Sequence, residues 1–120
     1  MRSNKVCLGV VVKDMEVLLV RNKNRPHLWS FPAGAIGKNE HAIDCVERDT
    51  PEISGIRCKC SDIICEDGND VYVGCDFIGG LPEPLGMDVD ESQFIPIEEV
   101  ERFIVDGVPS DVMTYLNGFI

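Results

Sequence analysis

The stretch GAIGKNEHAIDCVERDTPEISGI, from Gly34 to Ile56, decides the fold of this chain. Three of its side chains fall on one face of a helix, at the i, i+3 and i+7 spacing: Ile43, Val46 and Thr50. This spacing predicts a helix from Glu40 to about Thr50, with Asn39 as its N-cap. We expect Gly55 to end the helical region, because glycine readily adopts the left-handed conformation that closes many helices.

Two carboxylates lie together on a neighbouring side of this helix. Asp49 and Glu52 stand at i and i+3, and Mg²⁺ prefers a small set of carboxylate ligands completed by water and substrate phosphates. The glycine-containing loop before the helix lets backbone groups approach a ligand closely. These features indicate a site where a divalent cation polarises a phosphoanhydride for attack by water. The alternative is a solvated helix surface, on which the i,i+4 pairs Asp44–Arg48 and Arg48–Glu52 contribute only ~0.2–0.5 kcal/mol each.

Pro51 interrupts the predicted site. Proline removes a backbone N–H and clashes with the carbonyl of Glu47, at a cost of ~3 kcal/mol in a regular helix. We therefore expect the helix to stop near Asp49, with Thr50 capping a fresh turn that has Pro51 at its first position. Glu52 would then point away from Asp49.

Charge and length narrow the classes of function. A chain of 120 residues is enough for one domain with a real core. Its formal net charge of −10, from 21 acidic and 11 basic residues, argues against nucleic-acid or anionic membrane partners. An acidic protein that handles phosphates has to recruit divalent cations. No stretch is long and apolar enough to span a bilayer.

The six cysteines are expected to be reduced, buried thiols. CKC followed by Cys65 lacks the paired CxxC or CxxH units of a zinc site, and Cys58 and Cys60 would share one face of a strand. The N-terminal apolar run is interrupted by Lys13 and the acidic residues after it, unlike a secretory signal. Reduced thiols favour a cytoplasmic location.

The remaining sequence predicts strands around the helix. KVCLGVVVKDMEVLLVRNK is typical of two strands joined by a tight turn, and IRCKCSDIIC and DVYVGCDFIGG of two more around EDGND. FIPIEEVERFIVD combines a short strand with a helix beginning near Pro96, and PSDVMTYLNGFI is a final helical piece. This order predicts one mixed α/β (α+β) domain without an internal linker.

The stretch from Gly34 to Ile56 resembles the Nudix box, the signature of the MutT-like hydrolases. That pattern is Gly, five residues, Glu, seven residues, Arg-Glu, an apolar residue, any residue, Glu-Glu, any residue, Gly and an apolar residue. Six positions match at the right spacing: Gly34, Glu40, Arg48, Glu52, Gly55 and Ile56. Asp49 stands where Glu is usual, and Ile53 replaces the second acid of the Glu-Glu pair. The lead-in LWSFPAG resembles the usual Trp-x-Phe-Pro-Gly-Gly, and the resemblance continues over nearly the whole chain.

The resemblance implies a fold and a chemistry. The fold is a single α/β/α sandwich around a mixed sheet, expected over residues 1–120. The activity is hydrolysis of a nucleoside diphosphate linked to another group, with Mg²⁺ or Mn²⁺. The implied partner is thus a small nucleotide derivative.

The resemblance also implies a role for each matching residue. Arg48 orients the acids by salt bridging, Asp49 binds metal or assists in activating water, and Glu52 is the principal metal ligand. Three further metal-site residues complete the implied set: Glu40 as an outer ligand through water, Gly34 through its backbone, and Glu91 as an extra ligand or base.

Two functions stay open at this point. The first is an active, divergent hydrolase, which the box spacing and the acidic composition favour. The second is a catalytically impaired module that binds a nucleotide ligand or a protein partner, which Thr50, Pro51 and Ile53 favour. The sequence names neither the nucleotide nor the oligomeric state, although the apolar first strands offer a candidate homodimer surface.

Overall fold

The apolar run after Lys5 folds into the central hairpin of the protein. The computed structural model describes residues 4–120, so residues 1–3 of the predicted domain lie outside the described residues. Strands β1 (Val6–Lys13) and β2 (Glu16–Asn22) pair antiparallel across a turn in which Asp14 and Met15 have φ of 49° and 64°. Both faces of the hairpin are buried, which explains its nearly continuous Val and Leu content.

Five more strands extend this hairpin into one mixed sheet. Their bounds are β3 (Trp29–Ser30), β4 (Ala33–Ala35), β5 (Ile56–Asp67), β6 (Asp70–Gly80) and β7 (Val89–Pro96). The order β3-β2-β1-β6-β5 forms the main path, with β4 paired to β1 and β7 paired to β2. Only the β1–β6 pair is parallel among the described strands, so the predicted mixed sheet is confirmed.

Helices cover both faces of the sheet. Helix α1 (Ala42–Ser54) packs over one face, where Val11, Leu18 and Val46 share a core. A 3-10 turn (Ile97–Glu99), α2 (Val100–Phe103) and α3 (Ser110–Asn117) cover the other face. The β1 side chains alternate between these two cores, as strand geometry requires. The predicted α/β/α sandwich is thereby confirmed. Within residues 4–120, no helix combines the length and apolarity needed to cross a membrane.

Helix α1 does not stop before Pro51, so that prediction is wrong. The helix runs on to Ser54, and Gly55 closes it in the left-handed conformation at φ 79°, as expected. Thr50 and Ser54 are buried, and the Ser54 hydroxyl donates to the Thr50 carbonyl at 2.6 Å. Three backbone N–H groups of residues 83–86 also donate to the carbonyls of Ile53 and Ser54. These tertiary contacts hold the last turn despite the cost of the proline.

The start of α1 also differs from the prediction by a few residues. The N-cap is His41 rather than Asn39, and it makes no side-chain capping hydrogen bond. Asn39 instead adopts a positive φ of 62° in the preceding loop, a conformation that asparagine tolerates better than most residues. The loop therefore enters the helix two residues later than the apolar spacing indicates.

Four of the six cysteines form disulfides, which corrects the prediction of six reduced thiols. Cys7 in β1 is bonded to Cys45 in α1, and Cys60 is bonded to Cys75, its cross-strand neighbour. Cys58 and Cys65 are free. The bonded partners are separated by 38 and 15 residues, so tertiary packing and strand register bring them together without a local signal in the sequence.

Candidate active site

The Asp49 carboxylate packs directly against the backbone of Gly34. Gly34 lies in β4 opposite Cys7 of β1, and the Asp49 side chain from α1 comes down onto it. A Cβ added at position 34 would lie 1.6 Å from Asp49 Oδ2. No other residue at position 34 leaves this carboxylate where it is.

Arg48 donates hydrogen bonds to two acidic side chains, Asp49 and Glu40. Its Nε donates to Asp49 Oδ1 at 3.0 Å, and its Nη2 donates to Asp49 Oδ2 at 3.1 Å. Nη1 donates to Glu40 Oε2, and Nη2 also reaches the Ala35 carbonyl at 3.2 Å. The hydrogen bonds that Arg48 donates to Asp49 and Glu40 raise the pKa of Arg48, so the guanidinium stays charged. The fork orients the Asp49 carboxylate in a fixed plane.

Glu40 is held as an anion in the loop before the helix. Its Oε1 accepts a hydrogen bond from the Gly37 N–H at 2.8 Å, and its other oxygen accepts from Arg48. The Gly37 hydrogen bond, followed by Arg48, lowers the pKa of the Glu40 carboxyl below its ordinary value. Glu40 therefore ties the loop to α1.

Glu52 lies one turn beyond this network, with its side chain exposed to solvent. Because α1 is uninterrupted, Glu52 keeps its i+3 relation to Asp49, which places their Cβ atoms about 5–6 Å apart. Over residues 4–120, the Glu52 carboxylate makes no hydrogen bond or ion pair with another side chain. It is consequently free to rotate toward a ligand.

Ile53 packs where the usual second glutamate would stand. It borders a small cavity of about 260 Å³ together with Val20, Ala33 and Val89. Its carbonyl accepts hydrogen bonds from Leu85 and Gly86, in the loop that covers the end of α1. The side chain thus adds packing at this end of the site and offers no metal ligand.

Glu91 lies in β7 opposite Arg21 and, within residues 4–120, makes no hydrogen bond with Arg48. Its carboxylate accepts a hydrogen bond from Gln93 Nε2 at 3.1 Å, while its neighbour Asp90 takes both hydrogen bonds of Arg21. Among the described residues, two groups of three or more ligand side chains have their ligand atoms within 4.8 Å of one another, and both contain cysteines. Neither includes Glu40, Glu52 or Glu91.

An open cleft of about 1160 Å³ adjoins this site. The loop Ala35–Ala42 forms one wall, and Ile63 and Val71 from β5 and β6 contribute apolar side chains to another. Lys38 and a Lys5–Glu66 ion pair add charge at its border. The sequence singled out Glu40 in this loop but not Lys5, Ile63, Glu66 or Val71, because these four residues come from separate segments and carry no common motif.

The chain matches the family model described as the NUDIX domain over residues 3–114. Several solved structures of hydrolases superimpose on this chain. A NUDIX hydrolase from Nitrosomonas europaea superimposes with a TM-score of 0.79 at 18% identity, covering 98% of this chain and 72% of that one. A C. elegans Ap4A hydrolase gives 0.72 at 16% identity, covering 96% and 95%. An ADP-ribose pyrophosphatase from Streptococcus suis gives 0.68 at 18% identity, covering 81% and 76%. At these identities, the structural likeness establishes the fold.

Proposed function

Because the chain belongs to the NUDIX family, we propose that it is a divergent pyrophosphohydrolase of small nucleotides. It would cleave a phosphoanhydride bond in a nucleoside diphosphate linked to another group, with Mg²⁺ or Mn²⁺ as cofactor. The observation that carries this proposal is the bidentate grip of Arg48 on Asp49, with that carboxylate seated on Gly34. A solvated helix surface gives no reason for a glycine fitted so closely to one carboxylate.

The residues present suit a hard divalent cation. Asp49 and Glu52 would hold it through oxygen, with Glu40 reaching it through water and the Gly34 backbone beside it. Glu91 stays a further proposed ligand that would join from β7. When bound, the cation neutralises phosphate charge and lowers the pKa of coordinated water. Ile53 stands in place of the second acid of the Glu-Glu pair and offers no ligand, which implies weaker binding than a complete box would give.

The protein groups supply orientation and proton transfer. Arg48 fixes the Asp49 carboxylate, which can accept a proton from the attacking water. The new bond joins the water oxygen to phosphorus as the bridging P–O bond breaks, and the bridging oxygen leaves on a phosphate group. Glu40 keeps the loop Ala35–Ala42 against α1, so that a nucleotide in the adjoining cleft meets the site in one position.

The proposed partner class follows from the charge of the chain, whereas the two disulfides remove the thiol argument for the compartment. The net charge of −10 favours a small-molecule partner over nucleic acid or an anionic membrane. We keep the cytoplasm as the proposed compartment, where the two disulfides would be exposed to reduction. Counting free thiols in protein isolated under acid quench tests that location. A homodimer stays a proposal, and sedimentation tests it.

A second function is supported by Ile53. Its packing against the loop at residues 85–86 replaces a ligand, and a module with this change can bind a nucleotide without cleaving it. Such a module would show a nucleotide-dependent rise in melting temperature and no turnover.

Phosphate release separates the two functions. The assay uses nucleoside triphosphates, ADP-ribose and dinucleoside polyphosphates, each with Mg²⁺ and with Mn²⁺. Turnover that is lost in an Asp49→Asn, Glu52→Gln variant supports the hydrolase. Asp44→Asn is the matched control, because Asp44 is an exposed acid in the first turn of the same helix. Absence of turnover on every substrate, with ligand-dependent stabilisation, supports the binding module.

A further inference from the structure

Two buried sulfur atoms, those of Cys7 and Cys45, lie close to the Asp49 carboxylate. Cys45 is one turn before Asp49 on α1, and its Sγ is 3.8 Å from Asp49 Oδ2. Cys7, its disulfide partner, comes from β1 at the position opposite Gly34. One ligand atom from each of Cys7, Cys45 and Asp49 lies within 4.8 Å of the other two.

We propose that these three residues form a second, soft-metal site that is open only when the Cys7–Cys45 disulfide is reduced. A dithiol reductant would supply the two electrons, becoming a disulfide itself and leaving two thiols on the protein. A Zn²⁺-class ion would then bind the two sulfur atoms and the Asp49 carboxylate, with release of the two thiol protons. The Cys7–Cys45 disulfide and the bound ion exclude each other, because both use the same two sulfur atoms.

The spacing of the side chains suits a tetrahedral ion. With Zn–S of about 2.3 Å and Zn–O of about 2.0–2.2 Å, a sulfur and an oxygen ligand of a tetrahedral zinc lie about 3.5–3.7 Å apart. The Cys45 sulfur and the Asp49 oxygen are 3.8 Å apart, so a shift of a few tenths of an ångström would seat the ion. The Cα atoms of Cys7 and Cys45 are 6.3 Å apart, so rotation about their side-chain bonds can part the sulfurs without moving the backbone far.

Local charge also favours the ion. Two thiolates, one carboxylate and Zn²⁺ sum to a charge of −1, and the Arg48 guanidinium lies beside them with Nη2 3.9 Å from Cys45 Sγ. Cys7 and Cys45 are 1% and 0% exposed, so bare thiolates there would be costly and a bound cation would offset that cost. The partly exposed Asp49 gives access for the ion and for a water as fourth ligand.

The other cysteine group is less suited to this role. Cys58, Cys60 and Cys75 also converge within 4.8 Å, and all three are buried. Burial, with a smaller contribution from the carboxylate of Glu47, raises the pKa of the Cys58 thiol to about 11. The Glu47 carboxylate accepts the Cys60 N–H at 2.7 Å, so the charge placed beside this group is negative. A negative neighbour opposes thiolate formation.

Occupation of the soft site would remove Asp49 from the hydrolytic site. This consequence rests on the proposed function, whereas metal binding by the two cysteines and Asp49 does not. Zinc would inhibit hydrolysis by reduced protein and leave oxidised protein much less affected, since thiolate ligands favour Zn²⁺ over Mg²⁺.

Cd²⁺ binding to the whole chain tests the proposal without any turnover. Reduction is done with a phosphine, and the sulfur-to-cadmium charge-transfer absorption is followed on a Cys60→Ala, Cys75→Ala background that removes the second disulfide. We expect one equivalent of Cd²⁺ on this background. A further Cys7→Ser or Cys45→Ser change should abolish the absorption, and Asp49→Asn should weaken binding at least about 10-fold. Cys65→Ser is the matched control and should change nothing.

Two results would overturn the proposal. One is an undiminished absorption in the Cys45→Ser variant, and the other is no absorption at all on the reduced background. If that background does not fold, the wild-type chain serves instead: reduced protein should bind one Cd²⁺ more than its Cys7→Ser, Cys45→Ser variant, and equal stoichiometry would refute the site. Oxidised wild-type protein should lack the Cd²⁺ equivalent that depends on Cys7 and Cys45.

Discussion

The acidic positions in the middle of α1 and in its last turn differ in how their side chains are held. Asp49 is gripped by Arg48 and seated on Gly34, so its position is set by several partners. Glu52, one turn later, is exposed and makes no side-chain hydrogen bond within residues 4–120, and Ile53 beside it is used for packing. The hydrogen bonds that orient Asp49 and the number of carboxylates available as metal ligands therefore depend on different residues. A helix can keep the orienting hydrogen bonds while losing one of the carboxylate ligands.

The largest expected effect comes from Gly34→Ala. The added Cβ would need the space of Asp49 Oδ2, so the carboxylate has to move and the Arg48 fork has to follow it. Misplacement by about 1 Å costs on the order of 10²-fold in rate, and we expect at least that loss in kcat/KM. Gly37→Ala is the control, because its Cβ would lie 3.3 Å from Glu40 Oε1, so that side chain needs to shift by only a few tenths of an ångström. Equal losses in both variants would argue against the fit of Asp49 to Gly34.

Arg48→Lys is expected to have the next largest effect. Lysine keeps the charge but cannot donate two parallel hydrogen bonds to Asp49, so the carboxylate loses its fixed plane. Loss of such an orienting partner costs about 10–100-fold in activity or metal affinity, measurable by steady-state kinetics and Mn²⁺ titration. Arg102→Lys, which changes a surface ion pair on α2, should leave both unchanged. Full activity in Arg48→Lys would mean that charge alone suffices.

Ile53→Glu adds a carboxylate to the ligand-poor last turn. Because α1 is continuous through Pro51, position 53 stays near Glu52 and Asp49 on the helix surface. We expect Mg²⁺ affinity to rise on the order of tenfold, since ligand charge count sets affinity at such sites. Ile53→Gln has the same shape without the charge and should not raise it. Calorimetric titration measures both, and an equal gain in the two variants would exclude a direct ligand effect.

The smallest effect is the dependence of stability on Glu40 ionisation. Its pKa is lowered in the folded protein, so it stabilises the fold above its ordinary pKa of 4.5 and ceases to do so as the pH falls through the lowered folded value. The difference in melting temperature between wild type and Glu40→Gln should therefore shrink as the pH falls below 4.5. Thermal melts at closely spaced pH values measure it. A difference that stays constant through this range would contradict the assigned hydrogen bonds.

The resemblance to the Nudix box implied the layers of the fold and the salt bridging of the acids by Arg48, and the structure has both the layers and the hydrogen bonds from Arg48 to Asp49 and Glu40. The prediction from the sequence failed at Pro51, where the local penalty is visible in the sequence but the hydrogen bonds from residues 83–86 are not. It failed at the cysteines for the same reason, since strand register places Cys60 opposite Cys75 and tertiary packing joins Cys7 to Cys45. Long-range contacts decided both outcomes.

A double-mutant cycle on Mn²⁺ affinity tests most directly whether Asp49 and Glu52 share one ion. Electron paramagnetic resonance of free Mn²⁺ gives the dissociation constant for the oxidised wild type, Asp49→Asn, Glu52→Gln and the double variant. If both carboxylates hold the same ion, each single change weakens binding by at least about tenfold, and the double change adds little to the worse of the two. Unchanged Mn²⁺ affinity in Glu52→Gln would contradict the shared site.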